Sequence, residues 1–317
     1  MKIKYKSIQF PLHLGADFQG PNELEFTYQE LLWAAISVGK KSYAEIIKHG
    51  LYSNFEIIYR VAIILANLRL NGQYLVKSSS FKNLDPSEKG AITYFLGLTF
   101  SKLFASKLLN TTWLLHVDVY KNQFARSGQR FAFAPGKSRP DLIGLDNTRN
   151  WNVLESKGRT NNTTSKLRIK AKNQTRKLRK IGHQYPNKRI GCITHFKKDE
   201  LRFEWIDPEG YDQDAIDIKT SQPQFLKLYY QYLNHNLKEK GNKEIQDNFI
   251  VDEILDFKIR IGLHKELLKN YDNLSVDLIN NLNLEYNIDK FSTRENTFVN
   301  SDGIMISAEN LIKTVDE

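Results

Sequence analysis

Asp141, Glu155 and Lys157 are the residues of this sequence whose types and spacing could do chemistry. They stand in Ser138-Arg139-Pro140-Asp141-Leu142-Ile143-Gly144-Leu145-Asp146 and in Trp151-Asn152-Val153-Leu154-Glu155-Ser156-Lys157-Gly158-Arg159. Both stretches contain short apolar runs between turn residues, which predicts two buried strands. Side chains alternate along a strand, so Glu155 and Lys157 share one face with Cα atoms about 6.6 Å apart. A neighbouring strand lies about 4.8 Å away, where Asp141 could meet Glu155 over one divalent ion. Two carboxylates, the backbone carbonyl of Ser156 and waters are the hard-oxygen ligands that Mg²⁺ prefers, with Mn²⁺ as a possible substitute. The ammonium of Lys157 can position or activate a water and neutralise charge on a phosphate. Such a set suits hydrolysis of a phosphodiester. The plain alternative is a strand-end ion pair between Glu155 and Lys157, worth little to stability. An acid, any residue and a Lys recur at Asp217-Ile218-Lys219 and Asp256-Phe257-Lys258. Only the Glu155 copy ends an apolar strand and has a Pro-Asp upstream.

The elements that must place these groups can be read outward from them. Asp85-Pro86-Ser87-Glu88 marks a helix start, with Asp85 as N-cap, Pro86 at the first helical position and Glu88 closing a capping box. That helix runs to about residue 109 with apolar residues all round, which implies burial. Residues 113–120 read as a strand with His116 and Asp118 on one side, where Asp118 is a solvated strand-end acid before it is an accessory acid. Downstream, a long helix is expected over 164–181 before Gly182, and 189–196 and 201–206 read as strands. The order predicts an α/β core with a mixed central sheet flanked by helices, over residues 81–210. Residues 1–80 form an N-terminal extension of mixed strand and helix. Residues 211–317 read as a mostly helical C-terminal region, with amphipathic patterns at 222–240 and 251–270 and a hairpin turn at Ser301-Asp302-Gly303.

Charge is concentrated on the expected 164–181 helix and its surroundings. The chain holds 46 Lys+Arg and 36 Asp+Glu, a formal charge of +10. Residues 156–198 contain 14 of the cations and no Asp or Glu, and the rest of the chain balances to −4. Arg159, Lys166, Arg168, Lys170, Lys172, Arg176, Lys177, Arg179 and Lys180 are therefore candidate phosphate contacts. Like charges at i,i+4, such as Lys166 and Lys170, cost a helix a few tenths of a kcal/mol per pair, which a phosphate backbone would relieve. If about six of these residues touch phosphates, log K falls against log salt with a slope near roughly −5. The stripe Leu167, Ala171, Gln174, Leu178 and Ile181 faces inward on such a helix, and a buried amide at Gln174 needs partners. A sheet-edge carbonyl is one.

On Asp141, Glu155 and Lys157, with the order of elements around them, residues 85–206 resemble the PD-(D/E)XK nuclease superfamily with its restriction-endonuclease-like core. The resemblance implies a Mg²⁺-dependent endonuclease in which Asp141 and Glu155 hold the metal and Lys157 assists the attacking water. It also implies an acid on the first core helix, for which Glu88 is the candidate beside its capping role, and gives Gln174 a second possible place, facing the active site. Restriction or antiviral defence is the setting implied by analogy, with DNA as the favoured nucleic acid and a homodimer or partner subunits possible. A non-cleaving nucleic-acid-binding or scaffold subunit is the competing expectation.

Several classes are excluded by what the chain lacks. A single cysteine, Cys192, forbids an internal disulfide and a multi-Cys zinc site. No apolar run approaches the 18 or so residues that span a bilayer, and no signal-peptide pattern opens the chain, so a soluble cytoplasmic protein with no membrane partner is expected. No Gly-rich phosphate loop is present.

Overall fold

The computed structural model describes residues 1–38, 52–124, 139–207, 210–239, 244–246, 248–254, 258–282 and 296–314. The chain opens with β1 (Lys2–Ile8), β2 (Gly20–Glu25), α1 (Tyr28–Ser37), α2 (Tyr52–Asn67), β3 (Leu68–Asn71), β4 (Tyr74–Lys77) and α3 (Ser79–Asn83). There follow α4 (Pro86–Leu109), β5 (Trp113–His116), α5 (Val117–Phe124), β6 (Leu142–Leu145), β7 (Trp151–Arg159) and α6 (Ser165–Thr175). Next come β8 (Leu178–Ile181), β9 (Lys188–Lys197), β10 (Glu200–Ile206), β11 (Ile216–Ile218) and α7 (Gln222–Glu239). The last elements are β12 (Glu244–Gln246), β13 (Phe249–Ile254), β14 (Ile259–His264), α8 (Lys265–Lys269), α9 (Val276–Asn280), β15 (Thr297–Val299) and β16 (Ile304–Ser307).

The fold is mixed α/β, built on a nine-stranded central sheet in the order β2-β1-β4-β10-β9-β7-β6-β5, with β3 on β4 and β1 also along β10. β5, β6 and β7 are antiparallel neighbours, and β9 lies parallel to β7. α4 packs on one face. Its start is set as the sequence predicts: the Asp85 carboxylate accepts from Ser87 N and Glu88 N, Glu88 returns the capping box, and Pro86 fills the first turn. Its middle is buried on all sides, including Leu96, Phe100 and Phe104. α4 comes so close to β7 that a Cβ on Gly158 would sit 1.8 Å from the Thr93 carbonyl oxygen, a position only glycine can fill. α6 covers part of the other face, where a Cβ on Gly191 would meet Ala171 at 3.1 Å.

Four expectations change. The helix expected over 164–181 ends at Thr175, and Leu178 and Ile181 are the two buried ends of β8, which runs parallel to β11. Two buried residues three apart fit a four-residue strand with a solvated middle as well as a helical stripe. Residues 113–120 split into β5 and α5, because the Asp118 N–H donates to His116 Nδ1 at 3.2 Å and turns the chain into a helix. The N-terminal residues do not stand apart: β1 pairs with β10 from Lys4↔Arg202 to Ile8↔Ile206, and Tyr5 packs edge-on against Phe104 and Trp205.

The fourth correction is the C-terminal region, which is not mostly helical. β12, β13, β14, β16 and β15 form a five-stranded antiparallel sheet, and the helix expected over 251–270 is largely the β13–β14 pair and α8. Ile259, Ile261 and Leu263 are buried with Arg260 between the first two, a period of two rather than of a helix. α7 stands as a helix over Gln222–Glu239, and Ser301-Asp302-Gly303 does turn between β15 and β16. No helix among the described residues is long and apolar enough to cross a membrane.

Candidate active site

The site lies where β6 ends beside β7. Their register stops at Leu142↔Leu154, so one step further Asp141 stands opposite Glu155. The two carboxylates are held reciprocally by backbone. Asp141 N donates to Glu155 Oε2 at 3.0 Å, and Ser156 N donates to Asp141 Oδ2 at 3.0 Å. The Lys157 ammonium rests on Glu155 Oε1. Glu155 is fully buried, whereas the Lys157 side chain is 21% exposed, so the site opens at its lysine end. Burial, reinforced by the adjacent Asp141 carboxylate, pushes the Glu155 carboxyl up to about 8 against the pull of Lys157.

These groups suit a hard divalent ion. Asp141 Oδ1 has no protein hydrogen-bond donor among the described residues. In an extended strand the N–H and C=O of one residue point to the same edge. The Ser156 N–H points at Asp141, so its carbonyl faces that edge too. Two crowded carboxylates, one of them driven towards its neutral form, are an environment that a cation would relieve. Among the described residues no group of three or more His, Cys, Asp or Glu side chains is gathered. The serine hydroxyl itself points away, buried without a hydrogen-bond partner, towards Gly97 of α4.

Gln174 reaches the site's rim. Its Nε2 donates to the Arg139 carbonyl at 3.4 Å, two residues before Asp141, while its Oε1 is buried without a hydrogen-bond partner, so a backbone carbonyl is the partner the structure gives its amide. Glu88 does not reach the carboxylates; it is exposed and spent on the capping box of α4, about 9 Å along the axis before Tyr94.

Tyr94, His116 and Arg139 stand beside the site, although the sequence placed His116 only next to Asp118 and gave Tyr94 and Arg139 no role. The Tyr94 hydroxyl lies 3.0 Å from His116 Nε2, and burial followed by the charges of Asp141, Glu155 and Asp118 pushes its phenol up to about 12. Arg139 forms an ion pair with Asp118, which is thereby engaged rather than presented as a free acid. Only proximity in the folded chain reveals these three.

The basic segment divides into paired and unpaired cations. Arg168 makes a two-pronged contact with Glu204 (2.7 and 2.9 Å), and Arg179 does the same with Asp217 (2.9 and 2.7 Å). Arg176 meets Asp212 at 2.9 Å, and Lys177 meets Asp212 and Asp214 at 3.1 and 3.0 Å. Lys172 donates to Gln9 Oε1 at 2.8 Å, and Lys180 lies over the Tyr185 ring. Acids from beyond residue 198 thus relieve much of the repulsion assigned to phosphate. Arg159, Lys166 and Lys170 are exposed, with no carboxylate in ion-pair contact among the described residues. Lys166, Lys170 and Gln174 are spaced i, i+4, i+8, so the two free lysines lie on the flank of α6 that reaches the site.

Compared with protein-family models, curated proteins and solved structures, the chain gives no match. The geometry of its own residues carries the functional reading.

Proposed function

We propose that the chain is a Mg²⁺-dependent nuclease that hydrolyses phosphodiester bonds, DNA being the favoured substrate, on a restriction-endonuclease-like core formed by α4, β5–β7, α6 and β9. The observation that carries this reading is the crossed backbone lock of Asp141 and Glu155 with Lys157 on the same strand. Asp141, Glu155 and the Ser156 carbonyl would hold the ion, which when bound polarises a phosphoryl oxygen and lowers the pKa of a water. Lys157, at the open end, orients the nucleophilic water and offsets the charge that develops on the phosphate. Tyr94 and His116 wall the α4 side, and Lys166 and Lys170 draw the backbone in. A role in restriction or antiviral defence follows from the family resemblance alone.

The test is incubation with single- and double-stranded DNA in Mg²⁺, alongside Asp141→Asn, Lys157→Met and EDTA controls. Cleavage abolished by EDTA and lowered at least about 10²-fold by either substitution supports the reading. Cleavage unaltered by the substitutions sinks the site assignment, and metal-independent binding without cleavage supports the scaffold alternative.

A further inference from the structure

The sheet face that carries Glu155 and Lys157 also bears a groove of about 490 Å³, lined by residues of β1, β2, β9 and β10 together with Asn162 and Arg168. Strand register relates the groove to the site. One row runs Arg159, His195, Arg202, Lys4, Glu23 across β7, β9, β10, β1 and β2. The next runs Lys157, Ile193, Glu204, Lys6. Residues paired across adjacent strands point to the same face, so both rows lie on the side of Glu155, and Lys6 stands about 14 Å across the sheet from Lys157. α6 packs Ala171 on Ile193 and Ile206 and closes the groove at that end, with Arg168 and Asn162 in its wall.

The groove is cationic, drawing on residues both outside and inside the basic segment. Lys4, Lys6 and Arg202 line it with Lys197 and Arg168, against Glu23 and Glu204. Lys4 and Arg202 share Glu200, at 3.3 and 3.2 Å, and Arg168 holds Glu204. Lys6 and Lys197 are exposed and have no carboxylate partner among the described residues. Two lining nitrogens, His195 Nδ1 and Arg202 Nε, are buried without a hydrogen-bond partner; Glu200 is close to the second but not aligned with it. Buried polar atoms of this kind are costly unless something supplies the missing bond.

We propose that this groove binds the sugar–phosphate backbone of a nucleic acid running to or from the scissile bond at Lys157, with Lys6 and Lys197 as phosphate contacts. The proposal rests on the hydrolase reading above and extends the substrate surface onto β1, β9 and β10. It predicts that affinity is carried by these residues in the absence of metal.

The test uses the full chain in EDTA with fluorescently labelled single-stranded DNA, duplex DNA and single-stranded RNA, titrated at several salt concentrations. Lys6→Glu/Lys197→Glu should weaken binding at least about tenfold on one of the three arms and reduce the salt slope by about two, and that arm names the nucleic acid. Lys265→Glu, an exposed lysine on α8, should leave both unchanged, and thermal unfolding should show both variants folded. Wild-type affinity and slope in the double variant overturn the groove. If Asp141-dependent cleavage persists in that case, the hydrolase reading stands without the groove. If binding follows the groove but no metal produces cleavage, the groove stands and the hydrolase reading falls.

Discussion

Glu155 is a carboxylate in the protein interior next to a second carboxylate, with Lys157 as its nearest cation. Its folded pKa, about 8, lies above its ordinary 4.5. The stability this group lends is therefore fully present below about pH 4.5 and lost as pH rises through about 8, an effect on the order of a few kcal/mol. Urea unfolding of metal-free protein across that range should show the decline, Glu155→Gln should flatten it, and Mg²⁺ should restore stability at neutral pH in the wild type only. Lys157→Met should lower the single-turnover cleavage rate by about 10²–10³, the scale of losing one preorganised electrostatic group. Asp141, Glu155 and Lys157 were legible in the sequence because strand alternation and an adjacent strand suffice to bring them together. Tyr94 and His116 were not, since their contact joins residues on α4 and β5 that no local pattern links.

At the scale of elements, the site depends on how closely α4 approaches β7. Gly158→Ala would place a methyl against the Thr93 carbonyl, a backbone atom that cannot rotate away. The expected cost is about 1–3 kcal/mol or more in urea unfolding, with a loss of cleavage beyond what the remaining folded fraction explains. The start of α4 was readable from Asp85, Pro86 and Glu88 because capping is a local code. The end of α6 was not. Arg179 and Asp217 are 38 residues apart, and their pairing accompanies β8 lying along β11 instead of extending the helix. Ile259, Ile261 and Leu263 alternate plainly, yet the neighbouring apolar residues masked that period within a longer helical pattern.

Across the whole molecule, the two large sheets are joined by a buried polar knot centred on α4. Lys102 is fully buried, donates to the Thr112 carbonyl and to the Tyr229 hydroxyl at 2.9 Å, and lies over the Trp33 ring. Tyr229 and Trp33 in turn donate to Asp302 Oδ2 at 2.6 and 3.0 Å. Burial holds the Lys102 ammonium down to about 7 from its ordinary 10.5, with Asp302 opposing. Between about pH 7 and 10 the unfolded chain binds a proton that the folded one does not, so this lysine makes stability rise with pH there. Lys102→Met should abolish that rise and, by leaving the Thr112 carbonyl and the Tyr229 hydroxyl without their buried donor, cost about 1–3 kcal/mol in urea unfolding. Truncation after residue 207 should leave residues 1–207 unable to fold cooperatively, checked by far-UV circular dichroism and a melting curve. Lys102 would then lose Tyr229 and Asp302, and Trp113 would lose the Tyr230 hydroxyl it donates to at 2.8 Å.

The crossed bonds that tie Asp141 to the Glu155 carboxylate and to the Ser156 N–H also act as an alignment mark. Sliding β6 by one residue along β7 would turn every side chain of β6 to the opposite face and break both bonds at once. Misregistered chains would therefore lack the paired carboxylates altogether, so that a molecule able to gather a metal ion there has, by that fact, assembled its strands correctly.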